Sequence, residues 1–141
     1  MPKKILVVDD DETTVKLVEK LLLSAAFHVI TAKDGLEALV KIKKEKPDLL
    51  VLDIMMPEVN GYDVCYHLRF NKEFDKLPIV ILTSRSQEMP DSIGQRINIE
   101  YVAKPVNTKT LLKKIRSLLG QGEHKPSKTK SVIPPEKSKT S

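Results

Sequence analysis

Five short apolar runs, separated by helical patterns, constrain this chain more than any other feature. They are Ile5-Leu6-Val7-Val8, His28-Val29-Ile30-Thr31, Leu49-Leu50-Val51-Leu52, Ile79-Val80-Ile81-Leu82 and Tyr101-Val102-Ala103. Runs this short, most of them rich in β-branched residues and all continuous rather than alternating, suit strands of a parallel sheet covered on both faces. Between them the period changes to that of a helix. Val15, Val18, Leu21, Leu22 and Ala25 form one stripe, Leu36, Leu39 and Val40 a second, and Val64, Cys65 and Leu68 a third. In the last helical stretch Leu111, Leu112, Ile115, Leu118 and Leu119 face one way, opposite Lys109, Lys113, Lys114 and Arg116. Asp34 with Glu37, and Asn107, are placed to cap helices. The stretch from Glu88 to Glu100 must supply a helix despite Pro90 and Gly94, so a short or irregular one from about Asp91 is expected. Repeated β-α alternation predicts an α/β fold built on an open, doubly wound, five-stranded parallel sheet.

The 141 residues suffice for one ordinary domain, and 40% apolar residues can fill its core. A single cysteine, Cys65, excludes an internal disulfide framework and a multi-thiolate metal site. No apolar run reaches the ~18 residues of a membrane span, and the start has no apolar core of ~7 residues for a signal peptide. A cytoplasmic protein is the expectation, with no membrane partner. From Gly120 onward 22 residues carry five Lys and two Glu, +3 of the total +5. This stretch of Lys, Ser, Thr and Pro buries too little to offset its ordering entropy. The chain therefore divides into a domain at 1–119 and a disordered basic tail at 120–141. Lacking Arg and aromatics, the tail is expected to contact nucleic acid weakly at most.

In a doubly wound sheet the ligand sits beyond the carboxyl ends of the strands. The first run is followed by Asp9-Asp10-Asp11, the third by Asp53, the fourth by Thr83-Ser84 and the fifth by Lys104-Pro105. Crowded carboxylates resist ionisation unless a cation compensates them. Oxygen ligands select a hard metal, and a few carboxylates with retained water describe Mg²⁺. A hydroxyl from Thr83 and an ammonium from Lys104 suit anionic oxygens instead. Together these groups describe phosphoryl transfer, with a carboxylate as acceptor. Each has a plainer explanation alone: Asp10 or Asp11 as a helix cap, Asp53 as a turn residue, Lys104 as a solvated lysine.

Residues 3–119 resemble a response regulator receiver domain of two-component signalling. The resemblance is carried by Ile5-Leu6-Val7-Val8-Asp9-Asp10, by Leu52-Asp53-Ile54-Met55-Met56-Pro57 with Gly61, by Thr83-Ser84, and by Tyr101-Val102-Ala103-Lys104-Pro105. It implies a CheY-like (βα)5 fold with flavodoxin-like strand order 2-1-3-4-5. It further implies that Asp53 is the phosphorylated aspartate, and that Asp9, Asp10, Asp53 and the Met55 carbonyl hold Mg²⁺. By the same resemblance Thr83 and Tyr101 are switch residues, Lys104 pairs with the phosphoryl group, and the Lys104–Pro105 bond is cis. Met55 and Arg85, two residues beyond Asp53 and Thr83, would tune access of the hydrolytic water. The implied donor is a sensor histidine kinase or phosphotransfer protein. The chain would catalyse only its own phosphorylation and dephosphorylation, acting as a single-domain adaptor or as the receiver fragment of a longer regulator. One departure is local: Gln95-Arg96-Ile97-Asn98-Ile99-Glu100 stands where the family has an Ala-rich, Gly-Ala ending.

A second class competes for the same residues. Asp9-x-Asp11-x-Thr13 after an apolar run also matches haloacid-dehalogenase-type phosphohydrolases, with Asp9 as nucleophile, Asp11 as general acid, and Thr83 and Lys104 in support. Such an enzyme needs a later acidic motif. After Lys104 the only acids are Glu123 and Glu136. A binding-only pseudo-receiver is a third class, disfavoured because acidic pair, acceptor, hydroxyl and lysine are all present.

Overall fold

The computed structural model describes residues 2–56, 59–84 and 98–120. In chain order the elements are β1 (Lys4–Val8), α1 (Glu12–Ser24), β2 (His28–Ala32), α2 (Gly35–Glu45), β3 (Leu49–Asp53), α3 (Gly61–Arg69), β4 (Ile79–Thr83), β5 (Ile99–Ala103) and α4 (Thr108–Leu118). The five strands form one parallel sheet in the order β2-β1-β3-β4-β5. The sheet is the doubly wound, flavodoxin-like one expected. The helix expected from about Asp91 and the chain beyond Gly120 lie outside the described residues.

Both faces of the sheet are covered, which explains the continuous apolar runs. Successive strand side chains point to opposite faces. Ile5 and Val7 therefore join the cluster under α1 and α4, with Val18, Leu22, Leu111 and Ile115. Leu6 and Val8 join the one under α2 and α3, with Ala38, Ile42, Val64, Cys65 and Leu68. All five residues of β3 and of β4 are buried. β5 begins at Ile99, two residues before the apolar run suggested. Glu100 is exposed there, as an edge strand allows, so polarity hid the start of the strand.

The helix starts follow local chemistry. Asp11 caps α1, accepting from the Thr13 amide at 3.1 Å and the Thr14 hydroxyl at 2.9 Å. Asp34 accepts from the Glu37 amide at 2.8 Å, Asn60 forms a capping box with Asp63, and Asn107 accepts from the Thr110 amide at 3.0 Å.

The stripe read on α2 needs correction. Leu36 and Val40 are 57% and 64% exposed, and the helix buries Gly35, Ala38 and Ile42 instead, with Leu39 at the margin. The reason is close approach. A Cβ on Gly35 would lie 2.3 Å from the Val59 carbonyl oxygen, and Ala38 is fully buried. Small residues bring this helix down, so its larger apolar side chains are left on the outside.

Candidate functional site

The register of the sheet brings the strand ends to one rim. Val8 pairs with Leu52, which sets Asp9 beside Asp53; Asp53 pairs with Leu82, and Thr83 with Ala103. Asp9, Asp53 and Thr83 are 1%, 2% and 2% exposed, buried polar residues in an otherwise apolar interior. The Asp9 amide donates to the Ala32 carbonyl at 3.2 Å, and its carboxylate accepts from the Asp11 amide at 2.9 Å. Backbone pairing thus holds the first acid at the end of β1.

Lys104 meets both buried carboxylates. Its Nζ lies 3.0 Å from Asp9 Oδ2 and 3.0 Å from Asp53 Oδ1. The Lys104 amide donates to the Thr83 carbonyl at 2.8 Å, and the Lys104–Pro105 bond is cis. Asp10 completes a group of three: one carboxylate oxygen from each of Asp9, Asp10 and Asp53 lies within 4.8 Å of the others. One ammonium against three carboxylates leaves an excess of two negative charges.

Titration reflects this crowding. Burial raises the Asp53 carboxyl above its ordinary range; the Lys104 hydrogen bond opposes that and the Asp9 charge adds to it. Burial alone would lower Lys104, but its hydrogen bonds to Asp53 and Asp9 outweigh it and the ammonium is held above the usual lysine range. Asp11 does not belong to the cluster. Its carboxyl is lowered by the Thr14 hydroxyl and the Thr13 amide, the marks of a cap.

The remaining sequence candidates sit around this centre. Met55 follows β3 with its side chain 64% exposed, and its amide hydrogen-bonds the Asp53 carboxylate. Tyr101 lies on β5, packed against the cluster under α2 and α3, and burial pushes its phenol up. Arg85 lies outside the described residues.

Gly61 has a role that the sequence alone did not disclose. Its amide donates to the Ile54 carbonyl at 3.0 Å. A Cβ there would stand 2.5 Å from the Asp53 carbonyl oxygen and 2.8 Å from Ile54 Cα. Both obstacles are backbone, so Gly61→Ala must displace the chain that carries Asp53. The variant is expected to lose about 1–3 kcal/mol of stability in urea titration. A glycine at the first helical position, directly after the Asn60 cap, was the available signal.

Comparison with known proteins now bears on this geometry. A family model described as "Response regulator receiver domain" matches residues 5–116. The alkaline phosphatase synthesis transcriptional regulatory protein PhoP of Bacillus subtilis is 40% identical over 124 residues, 87% of this chain and 51% of its own length. The probable transcriptional regulator ycf27 of Porphyra purpurea is 43% identical over 122 residues, 86% of this chain and 49% of its own. The chain thus spans about half the length of these curated relatives. Among solved structures, the chemotaxis protein CheY4 of Vibrio cholerae matches with a TM-score of 0.74 and 30% identity, covering 84% of this chain and 99% of that one. Sequence, fold and rim agree on one assignment, and the chain belongs to the receiver domain family of two-component response regulators.

Proposed function

We propose that Asp53 accepts a phosphoryl group from a phosphohistidine on a sensor histidine kinase or phosphotransfer protein. The observation that carries this reading is the Lys104 ammonium seated between Asp9 and Asp53, with Asp10 alongside. An Asp53 carboxylate oxygen attacks phosphorus and forms a P–O bond. The P–N bond to the donor imidazole breaks, its electron pair returning to nitrogen. Lys104, at 3.0 Å from Asp53, is within reach of an oxygen of the transferred group. Thr83, at the end of the adjacent strand, brings a hydroxyl to the same rim.

The cluster fits Mg²⁺: its donors are all carboxylate oxygens and its excess charge is two negatives. When bound, the ion neutralises charge that builds on the phosphoryl oxygens. Asp9, Asp10, Asp53 and the Met55 backbone would hold it. Chain chemistry supplies the rest: Asp9 and Asp53 are fixed by burial and pairing, and Lys104 balances them between turnovers.

Phosphorylation adds about two negative charges beside Lys104 and Thr83. We take Thr83 and Tyr101 as the groups that move in response, altering partner affinity, with Met55 and Arg85 tuning water access. Signal would leave by protein contact in the cytoplasm, from a single-domain adaptor or from the receiver part of a longer regulator. Some relatives are named as transcriptional regulators and one, from Mycolicibacterium smegmatis, as a DNA-binding response regulator. Among the described residues no helix is long and apolar enough to cross a membrane. The family match ends at 116 and α4 at Leu118, in keeping with a receiver body at 1–119.

A dehalogenase-type reading would need Asp11 as a free general acid, whereas its carboxylate is spent on the α1 cap. Incubation with acetyl phosphate and intact mass measurement tests the proposal. One phosphoryl group should add per chain with Mg²⁺ and essentially none with excess chelator. Uptake indifferent to the metal would count against it.

A further inference from the structure

The turn between β2 and α2 touches both chain segments that carry the acidic cluster. At one end the Ala32 carbonyl accepts from the Asp9 amide at 3.2 Å. At the other, Gly35 opens α2 directly against the loop between β3 and α3. A Cβ on Gly35 would stand 2.3 Å from the Val59 carbonyl oxygen, 2.7 Å from Val59 Cγ1 and 2.9 Å from Val59 Cβ. Packed atoms do not approach that closely, and a backbone oxygen cannot swing aside as a flexible side chain does. Ala would be the better helix former. What glycine supplies here is space, so helix and loop meet backbone to backbone.

The turn itself is held in place. The Asp34 carboxylate accepts from the Glu37 amide at 2.8 Å, and the Glu37 carboxylate accepts from the Lys33 amide at 2.9 Å. These reciprocal bonds fix residues 33–37 much as a capping box does. Across the contact the loop is equally constrained. The Ile54 carbonyl accepts from the Met56 amide at 3.1 Å and from the Gly61 amide at 3.0 Å, which gathers both ends of the loop onto one atom. Val59 packs against the cluster under α2 and α3, and the Met55 amide hydrogen-bonds the Asp53 carboxylate. Gly61 in turn lies against the Asp53 carbonyl oxygen and Ile54 Cα, with no room even for a methyl group. A displacement at Val59 is therefore passed through Gly61 to Ile54 and to its neighbours Asp53 and Met55.

We propose that Gly35 is a positioning residue for the divalent-cation site, setting through Val59 where the β3–α3 loop presents the Met55 backbone, while the same turn holds Asp9 through Ala32. Gly35 offers no side-chain ligand and acts only through segments that do. The inference rests on the reading of Asp9, Asp10, Asp53 and Met55 as the Mg²⁺ site. Mg²⁺ demands near-ideal ligand geometry at about 2.0–2.1 Å, so a small shift of this loop costs affinity.

The test is calorimetric titration of the full chain with magnesium chloride, at a temperature where circular dichroism shows each variant folded. Gly35→Ala should bind Mg²⁺ about five- to tenfold more weakly than the wild type. Ile42→Val separates this effect from loss of packing. Ile42 is fully buried on the same helix, about two turns beyond Gly35. Its variant should melt at a lower temperature, as Gly35→Ala does, yet bind Mg²⁺ as the wild type does. Val59→Ala opens the contact from the loop side without any overlap, and should weaken binding by at least about threefold. It decides the matter alone if Gly35→Ala does not fold. A wild type that binds no Mg²⁺ would refute the reading of the site, and this inference with it. A wild type that binds, while either Gly35→Ala or Val59→Ala binds as tightly, would overturn the inference alone. So would Ile42→Val weakening Mg²⁺ binding as much as Gly35→Ala.

Discussion

Asp53→Asn protein should take up no phosphoryl group from acetyl phosphate under conditions that label the wild type fully. The substitution keeps the size and planarity of the side chain but replaces an anionic nucleophile with an amide that forms no stable acyl phosphate. Asp9→Asn is expected to behave differently. It keeps the acceptor and removes one of three carboxylates, so labelling should survive at a higher Mg²⁺ requirement, raised at least about tenfold. A dehalogenase-type nucleophile at Asp9 predicts the reverse order, with labelling lost in Asp9→Asn and kept in Asp53→Asn. Intact mass measurement of the three proteins side by side distinguishes the two outcomes, and an Asp53→Asn chain that labels normally would sink the phosphoacceptor reading.

Lys104→Met should be the most damaging substitution to stability among the site residues. It leaves Asp9 and Asp53, 1% and 2% exposed, without the cation 3.0 Å from each. Removing one partner of a buried pair costs about 3–5 kcal/mol; with the Lys104 side chain 24% exposed, solvent relaxation reduces this to about 2 kcal/mol near neutral pH without Mg²⁺. The pH dependence has a definite sign. Asp53 has a raised pKa in the folded protein, so folding binds its proton more tightly than the unfolded chain does. Its contribution therefore improves as pH falls through the folded value and is a burden above it. Loss of Lys104 enlarges that burden. The deficit of the variant should be greatest at neutral pH and shrink on acidification as Asp53 takes up its proton, because a protonated acid needs no counter-ion. For the wild type, Lys104 is raised above 10.5, so its stabilisation is complete below that value and lost as pH rises through the folded pKa. Urea titrations of both proteins across this range check each limb. A deficit that grows on acidification would contradict the electrostatic account.

How much of this could be read from the chain varies with the kind of force involved. β1, β3 and β4 were legible because burial on both faces demands unbroken runs of apolar residues. The start of β5 was not, because Glu100 sits on its exposed side and breaks the run. On α2 the periodic pattern was real, but of its three residues only Leu39 packs against the core, while Leu36 and Val40 are exposed. Leu36, Leu39 and Val40 obey helical spacing, yet Gly35 and Ala38 are what admit the helix to its neighbours. A one-dimensional pattern weighs large apolar residues and overlooks small ones, whereas close packing rewards the reverse. Asp11 illustrates the opposite ambiguity: an acid in a run of three, it caps α1 and stays out of the cluster its neighbours form.

The chain by itself determined a parallel sheet, the order of chemical groups at its strand ends, and the residue types that suit a divalent cation and a phosphoryl group. Only the folded protein decided which acids share a site, that one lysine bridges two of them, and which side of α2 faces water. Strand and helix periods arise from neighbours along the chain, so local sequence records them. Distances between Asp9, Asp53 and Lys104 arise from strand register and burial across as many as 95 positions, and no local pattern carries that information.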